Sequence, residues 1–313
     1  LNLFLDATSI TAFLRCKEEF RQTYLVGRAS RYIAIHRSSG IAVHRGIESL
    51  WRGKTFTEAQ HVMMDYFLKI DESRILPTDL KKWGELKEMA PEQLAVYADG
   101  TEIIPGCALE HEWTWKEPFG IAELTLGGRM DRVELGGSGL SAPLCETPHP
   151  ARSVKLIDIK TASEIDGYDE FGKKVGWERS YRAQMCKDVG LGLYDCYLRK
   201  IGLVPTAVVL EVITKPSERY GKKCRLVKME LPEVLAYRER FDMLLELTAR
   251  EILHYVRHYR EMQPWPMNVS ACSGKFGNCS FYALCNLGLN PRTEKLYGKR
   301  EEHLSIKERI SGI

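Results

Sequence analysis

The sequence predicts an α/β fold, a mixed central sheet flanked by helices, with a helical region before it and a cysteine-bearing segment after it. Three observations predict this. The first hundred residues place apolar side chains at helical spacing, residues 107–161 switch to the two-residue alternation of strands, and helix, strand and long amphipathic helix then follow in turn. The 313 residues are 44% hydrophobic and 28% charged, enough apolar material for a sizeable core. They are read as a single compound domain with a helical region 1–100, a core 101–263, and a cysteine segment and tail 264–313.

Residues 8–26 are expected to form the first helix. Thr8 or Ser9 can cap it, Ile10, Phe13, Leu14, Phe20 and Tyr24 recur at helical spacing, Cys16 lies inside it, and Gly27 ends it. A second helix starts near Gly40 and carries His44, Ile47, Leu50 and Trp51 up to Gly53, and a polar helical region continues over 57–97. Strands follow at 107–116, 122–135 and 153–161, expected as an antiparallel meander. The stretch GGSGLSAPLCETPHPARS between the last two reads as an exposed loop within a hairpin, because Gly, Ser and Pro favour turns. A helix over 177–200, strands over 206–214 and 225–230, and a helix over 232–261 complete the pattern, the last stopping before Pro264-Trp265-Pro266. No internal repeat is visible, and after Cys285 the pattern weakens into a tail expected to fray.

A net charge of +3 does not announce a polyanion partner, so any nucleic-acid contact must come from local patches such as Lys81-Lys82, Lys173-Lys174 or Lys222-Lys223. Each, alone, reads equally as a solvated face. The longest aliphatic stretch, 206–213, is too short to span a bilayer, and no charged-then-apolar start is seen. A soluble, intracellular, cytoplasmic protein is expected. The chain opens at Leu1 without a methionine, which leaves an upstream segment and its targeting open.

Two acids and a lysine carry the chemistry: Asp131 in GGRMDRVE, then Asp158 and Lys160 in KLIDIKTAS. Strand alternation puts Asp158 and Lys160 on one face, with Ile157 and Ile159 on the other. Singly, Asp131 beside Arg132 reads as a structural ion pair, and the DIK tripeptide is equally plain. In this order the three suit metal-dependent phosphodiester cleavage. Magnesium binds through one or two carboxylates plus phosphate oxygens, and a lysine can orient the attacking water.

Nine cysteines, an odd number, do not suit a closed disulfide framework. Cys107, Cys145, Cys186, Cys196 and Cys224 are scattered and read as small buried hydrophobes. Cys272, Cys279 and Cys285 crowd into SACSGKFGNCSFYALC, and with the distant Cys16 they make four thiols. Such a set suits either a [4Fe-4S] cluster or a structural zinc, and spacing alone leaves both open; the plain reading is structural thiols in a loop.

Gly128-Arg129-Met130-Asp131 followed by Asp158-Ile159-Lys160 resembles motifs II and III of the PD-(D/E)XK nuclease superfamily, and the likeness extends from Cys16 to Cys285. It points to the RecB-like iron-sulfur exonuclease branch, which includes the CRISPR-associated RecB-like nucleases, with a phage-type member also in view. That resemblance implies a restriction-endonuclease-like sheet. It implies that His44, on an early helix, joins Asp131, Asp158 and the Ile159 carbonyl around magnesium or manganese, with Lys160 as the catalytic lysine. It also implies a glutamine on the following helix. Gln184 sits suitably to position water or a DNA phosphate, or is a polar helix residue, but the tyrosine usual one turn later is replaced by Asp188, and the nearest tyrosines are Tyr181 and Tyr194. Glu110 and Glu112, on the preceding strand, either support the site or face solvent.

For the thiols, the resemblance implies that Cys16, Cys272, Cys279 and Cys285 hold a [4Fe-4S] cluster, with zinc as the alternative. By analogy with disulfide closure, tying residue 16 to residues 272–285 removes on the order of 5 kcal/mol of unfolded-state entropy, so the cluster is expected to act as a clasp. The expected function is a DNA exonuclease on single-stranded or end-bearing DNA in recombination, repair or replication. The alternatives are end trimming in CRISPR spacer acquisition, or a non-catalytic iron-sulfur DNA-binding subunit.

Overall fold

The computed structural model describes residues 2–103, 108–119, 122–135, 152–163, 167–168, 173–216, 223–258, 264–274 and 277–299. Cys107, Cys145, Lys222, the predicted Gly/Ser/Pro loop and the C-terminal tail lie outside the described residues, as do the side chains of Glu110, Glu112 and Lys174. The elements in chain order are β1 (Asn2–Leu5), α1 (Ala7–Arg15), α2 (Lys17–Phe20), β2 (Arg28–Ser30), α3 (Ile35–Trp51), α4 (Phe56–Leu68) and α5 (Leu80–Gly100). Next come β3 (Ala108–Phe119), β4 (Ala122–Leu135), β5 (Arg152–Ser163), β6 (Gly167–Tyr168), β7 (Lys174–Val175), α6 (Trp177–Met185), α7 (Val189–Lys200), β8 (Leu203–Lys215) and β9 (Leu226–Glu230). The chain continues through α8 (Pro232–Ala236), α9 (Arg238–His258), β10 (Ser273–Gly274), β11 (Gly277–Asn278), α10 (Tyr282–Leu287), α11 (Pro291–Glu294) and β12 (Tyr297–Lys299).

The chain divides into two compact units, one of Leu1–Phe4 with Ala34–Leu245, the other of Leu5–Ile33 with Glu246–Ile313. The first contains the mixed sheet, in the order β1-β4-β5-β8-β9 with β3 on β4. β3, β4 and β5 pair antiparallel, which is the predicted meander. β5 and β8 run parallel across the α6–α7 connection, as a crossover requires, and β9 returns antiparallel to β8. The apolar run in β8 is buried almost throughout, as a strand covered on both faces must be.

One face of this sheet is covered by α3, α4 and α5. Ile47, Trp51, Met63, Trp83, Leu86 and Leu94 pack there with Ile159 of β5 and Ile213 of β8. Each such side chain stabilises the unit by about 1.5–3 kcal/mol. Gly46 lets α3 approach closely, since a Cβ there would sit 3.1 Å from Leu94. The predicted 57–97 helical region is two helices, with Thr55 and Glu58 forming a capping box at the start of α4. The predicted 177–200 helix is also two. Asp188 accepts from the N–H groups of Gly190 (2.8 Å) and Leu191 (3.1 Å), so the chain stops and restarts there.

In the second unit the continuous helix predicted over 8–26 is corrected. Cys16 has φ −159° and ψ 116°, an extended break between α1 and α2, and a π-helical turn over Arg21–Leu25 follows. Phe13, Phe20, Tyr24, Tyr255 and Trp265 stack into an aromatic cluster with ring centroids 5.0–6.1 Å apart. Glu18 is buried and fully engaged, accepting from Arg21, from Gln22 at 2.7 Å and from the Trp265 N–H at 2.8 Å. β2 pairs with β12, while Phe281, Leu284 and Tyr297 form a small core with Cys279 and Cys285 against it. Among the described residues, no helix is long and apolar enough to cross a membrane.

Candidate active site

β4 and β5 pair from Leu135↔Val154 to Arg132↔Ile157, and the pairing ends there, at the step that would join Asp131 to Asp158. The two acids therefore stand where the strands separate. Asp131 Oδ2 takes the Ile159 N–H at 2.7 Å, the backbone donor that the lost ladder leaves open. Lys160 Nζ donates to Asp158 Oδ1 at 2.9 Å. Asp158 Oδ2, 2.8 Å from the same ammonium, is buried and receives no other donor among the described residues.

α3 reaches this point from across the strands. His36, Gly40 and His44 lie four residues apart and so share one helix face. His36 Nδ1 is 3.3 Å from Lys215 Nζ at the end of β8. A Cβ on Gly40 would sit 3.1 Å from Thr161 Oγ1 on β5, and His44 Nδ1 is 3.6 Å from Asp131 Oδ1 on β4. The sequence-predicted His44, Asp131, Asp158, Ile159 and Lys160 are thus brought together, toward the carboxyl end of β5, where open parallel sheets place ligands.

Burial alone would raise the Asp131 carboxyl, but His44, Lys160 and the Ile159 N–H outweigh it and hold it well below the usual carboxylate range. Asp158 goes the other way. Burial pushes it up, the Asp131 and Asp188 carboxylates add to that, and Lys160 opposes. Desolvation disfavours the Lys160 ammonium, yet Asp158 and Asp131 more than compensate and keep it protonated. Two acids with opposite shifts beside a fixed cation are what a site under electrostatic tension looks like.

Gln184 is not drawn in: it is exposed near the end of α6, and its side chain makes no hydrogen bond among the described residues. Two tyrosines stand closer. Burial raises Tyr181 to about 12 and Tyr194 further, and Asp158 contributes to both. Tyr194 belongs to α7, a separate helix that Asp188 caps, so counting one turn on from Gln184 does not find it. The signal was the Asp-x-Gly of a fresh N-cap.

Among the described residues, no three His, Cys, Asp or Glu side chains close around a point that would hold a metal ion. The donors nevertheless fit a hard divalent cation. Magnesium uses one or two carboxylates and fills its remaining positions with water and phosphate oxygens, and Asp158 Oδ2 is a buried acceptor that, among the described residues, meets only the Lys160 ammonium.

The family model for the PD-(D/E)XK nuclease superfamily matches residues 5–286. The chain belongs to that superfamily. Its members are generally metal-dependent nucleases that typically use magnesium or manganese, so this PD-(D/E)XK chain is a nuclease by family. Among solved structures it is similar to a candidate exonuclease from Eubacterium rectale, at 13% identity with a TM-score of 0.39 over 87% of this chain and 93% of that one. It is also similar to the protein SSO0001, at 15% identity with a TM-score of 0.29 over 90% and 98%. No curated protein matches it.

The second unit of the PD-(D/E)XK chain holds Cys16, Cys272, Cys279 and Cys285 as free thiols, the first buried and the others half-buried. The Cys279 N–H donates to the Cys272 carbonyl at 2.9 Å, closing the β10–β11 turn. Burial pushes the Cys285 thiol up to about 11, with Glu18 and then the other three cysteines adding to the shift. Cys279 is raised for the same first reason, and it too senses Cys16 and Cys272. The four thiols are within electrostatic reach of one another, and each would have to lose its proton to bind a metal.

Proposed function

We propose that this chain is a magnesium- or manganese-dependent DNA nuclease that works as an exonuclease on single-stranded or end-bearing DNA, in recombination, repair or replication. The observation that carries the reading is the convergence of Asp131, Asp158 and Lys160 with His44 at the fork between β4 and β5, with both Asp158 oxygens within 2.9 Å of the Lys160 ammonium. Asp131, Asp158, the Ile159 carbonyl and His44 would hold the cation. When bound, it would acidify a water and neutralise charge on the leaving oxygen. Lys160, anchored on Asp158 and kept protonated, orients the attacking water and meets the negative charge that grows on the phosphate. Gln184, exposed on α6, is left to contact a substrate phosphate. Tyr194 and Tyr181 wall the acids and keep the local dielectric low.

In the second unit, Cys16, Cys272, Cys279 and Cys285 would hold a [4Fe-4S] cluster, with zinc as the alternative, and would clasp the early and late parts of the chain. Their placement in one compact unit supports this.

The test is cleavage of end-labelled oligonucleotides with magnesium or manganese, comparing the native protein with Lys160→Ala. Native cleavage that Lys160→Ala abolishes is the expected result. Native protein that binds single-stranded and duplex DNA yet leaves both intact would overturn the reading in favour of a DNA-binding subunit.

A further inference from the structure

Lys215 ends β8 and is 9% exposed, yet among the described residues its ammonium has no carboxylate partner; its one close contact is His36 Nδ1 at 3.3 Å. A buried cation that meets an imidazole able to be neutral and, among the described residues, no carboxylate is costly and needs a reason. Among the described residues the stronger charge acting on it, Lys82, is of its own sign, and the Cys224 thiol acts the other way. Lys82, on α5, acts on both Lys215 and His36, while Asp79 is the one carboxylate felt by His36, and Lys82 is itself paired with Glu85 at 3.0 Å. Burial first and Lys82 second lower Lys215; burial, Lys215 and Lys82 lower His36. Each group is thus pressed toward losing its proton, a pressure that an anion would relieve.

The α3 start adds to this. Ala34 offers no side-chain cap, and the first turn contains no acid, so its N–H groups and dipole face the same neighbourhood without a built-in anion. Eight residues of helical rise separate His36 from His44, about 12 Å, or a few nucleotide steps along a strand. α3 therefore joins this cationic corner to the acids on one face.

We propose that His36 and Lys215, with Lys82 and the first turn of α3, form a phosphate subsite that takes an internal phosphodiester of the DNA strand a few nucleotides from the bond being cut. This rests on the nuclease reading. The subsite holds the strand in register while the acids act, so it contributes to substrate affinity rather than to bond cleavage.

The experiment is fluorescence anisotropy of a short labelled single strand, without added magnesium or manganese, as a function of salt. The same strand is then tested with one neutral methylphosphonate at each position in turn. Lys215→Met should weaken binding roughly tenfold at low salt and reduce the salt slope by about 0.7, one single-strand phosphate contact. In the native protein one methylphosphonate position should be penalised, and in Lys215→Met that position should become neutral. His36→Gln, at an exposed position, repeats the measurement without disturbing the core. Native affinity and slope in both variants, or the same methylphosphonate profile in native protein and variants, overturns the subsite. A native protein that shows the position-specific penalty but cuts nothing with manganese keeps the subsite and sinks the nuclease reading. One that cuts with a flat profile does the reverse.

Discussion

Behind the acids, Arg132 and Glu211 form a pair whose side chains are 3% and 2% exposed. Arg132 donates through both terminal nitrogens to Glu211, at 3.1 and 3.2 Å, and to Tyr97 Oη at 2.9 Å, while its guanidinium lies 4.5 Å from the centre of the Trp51 ring. Arg132 follows Asp131 directly, and Glu211 is the register partner of Ile159. The pair therefore ties β4 to β8 across β5, bracing the strand of Asp131 and the neighbour of the strand of Asp158. Glu211→Leu removes the buried carboxylate and leaves Arg132 with the Tyr97 hydroxyl and, 3.1 Å from Nε, the half-buried Glu134 carboxylate. Leaving a buried charge wholly uncompensated costs about 3–5 kcal/mol, an upper range here because Glu134 stays beside the guanidinium. For a unit of this size that is a fall of roughly 6–20 °C in Tm. Thermal unfolding followed by tryptophan fluorescence measures it, and Trp51 reports locally. Arg132→Met combined with Glu211→Leu should recover most of the loss, because replacing a buried ion pair by apolar groups is often near neutral. A single-variant loss under about 1 kcal/mol, or a double variant whose loss equals the sum of both singles, would refute the bracing argument. Cleavage by Glu211→Leu should also slow with DNA affinity unchanged, since the acids shift and the phosphate contacts do not.

Asp158→Ala should abolish cleavage while leaving visible absorption intact; a variant that still cuts would remove Asp158 from the chemistry. Cys279→Ser should cost the brown colour and the solubility of anaerobic protein, whereas a colourless, zinc-loaded and fully active native preparation would refute the iron-sulfur assignment. Gly192→Ala should destabilise the first unit by about 1–3 kcal/mol in urea unfolding, because its Cβ would fall 2.4 Å from the Phe241 ring; unchanged stability would show that α7 and α9 can part freely. Burial opposes ionisation of Glu18, but Arg21, Gln22 and the Trp265 N–H lower its pKa below the ordinary glutamate value. Its contribution is therefore full above that ordinary value and is lost as pH falls through the folded one. Acid unfolding of Glu18→Gln should lack that part of the slope, and a superimposable pH profile would contradict it.

The sheet was legible because its cause is local. Alternation in β4 and β5 and the apolar run of β8 each follow from a few consecutive residues, and the two-residue spacing of Asp158 and Lys160 carried the site with them. The break at Cys16 was hidden because Phe13 and Phe20 both belong to one aromatic cluster, and a stripe that continues across a break looks like one helix. The break at Asp188 was written in the sequence as an N-cap, although the apolar pattern over 177–200 runs on through it as one helix. Pairings that join distant residues left no local trace. Tyr97 meets Glu211 across 114 positions and His36 meets Lys215 across 179, so neither could be read before the strands were placed. These unread contacts are also the ones with the highest electrostatic stakes. Burying a charge is tolerable only where it meets a counterpart, as Glu211 is supplied to Arg132, and the phosphate subsite proposed at Lys215 is one in which the counterpart arrives with the substrate.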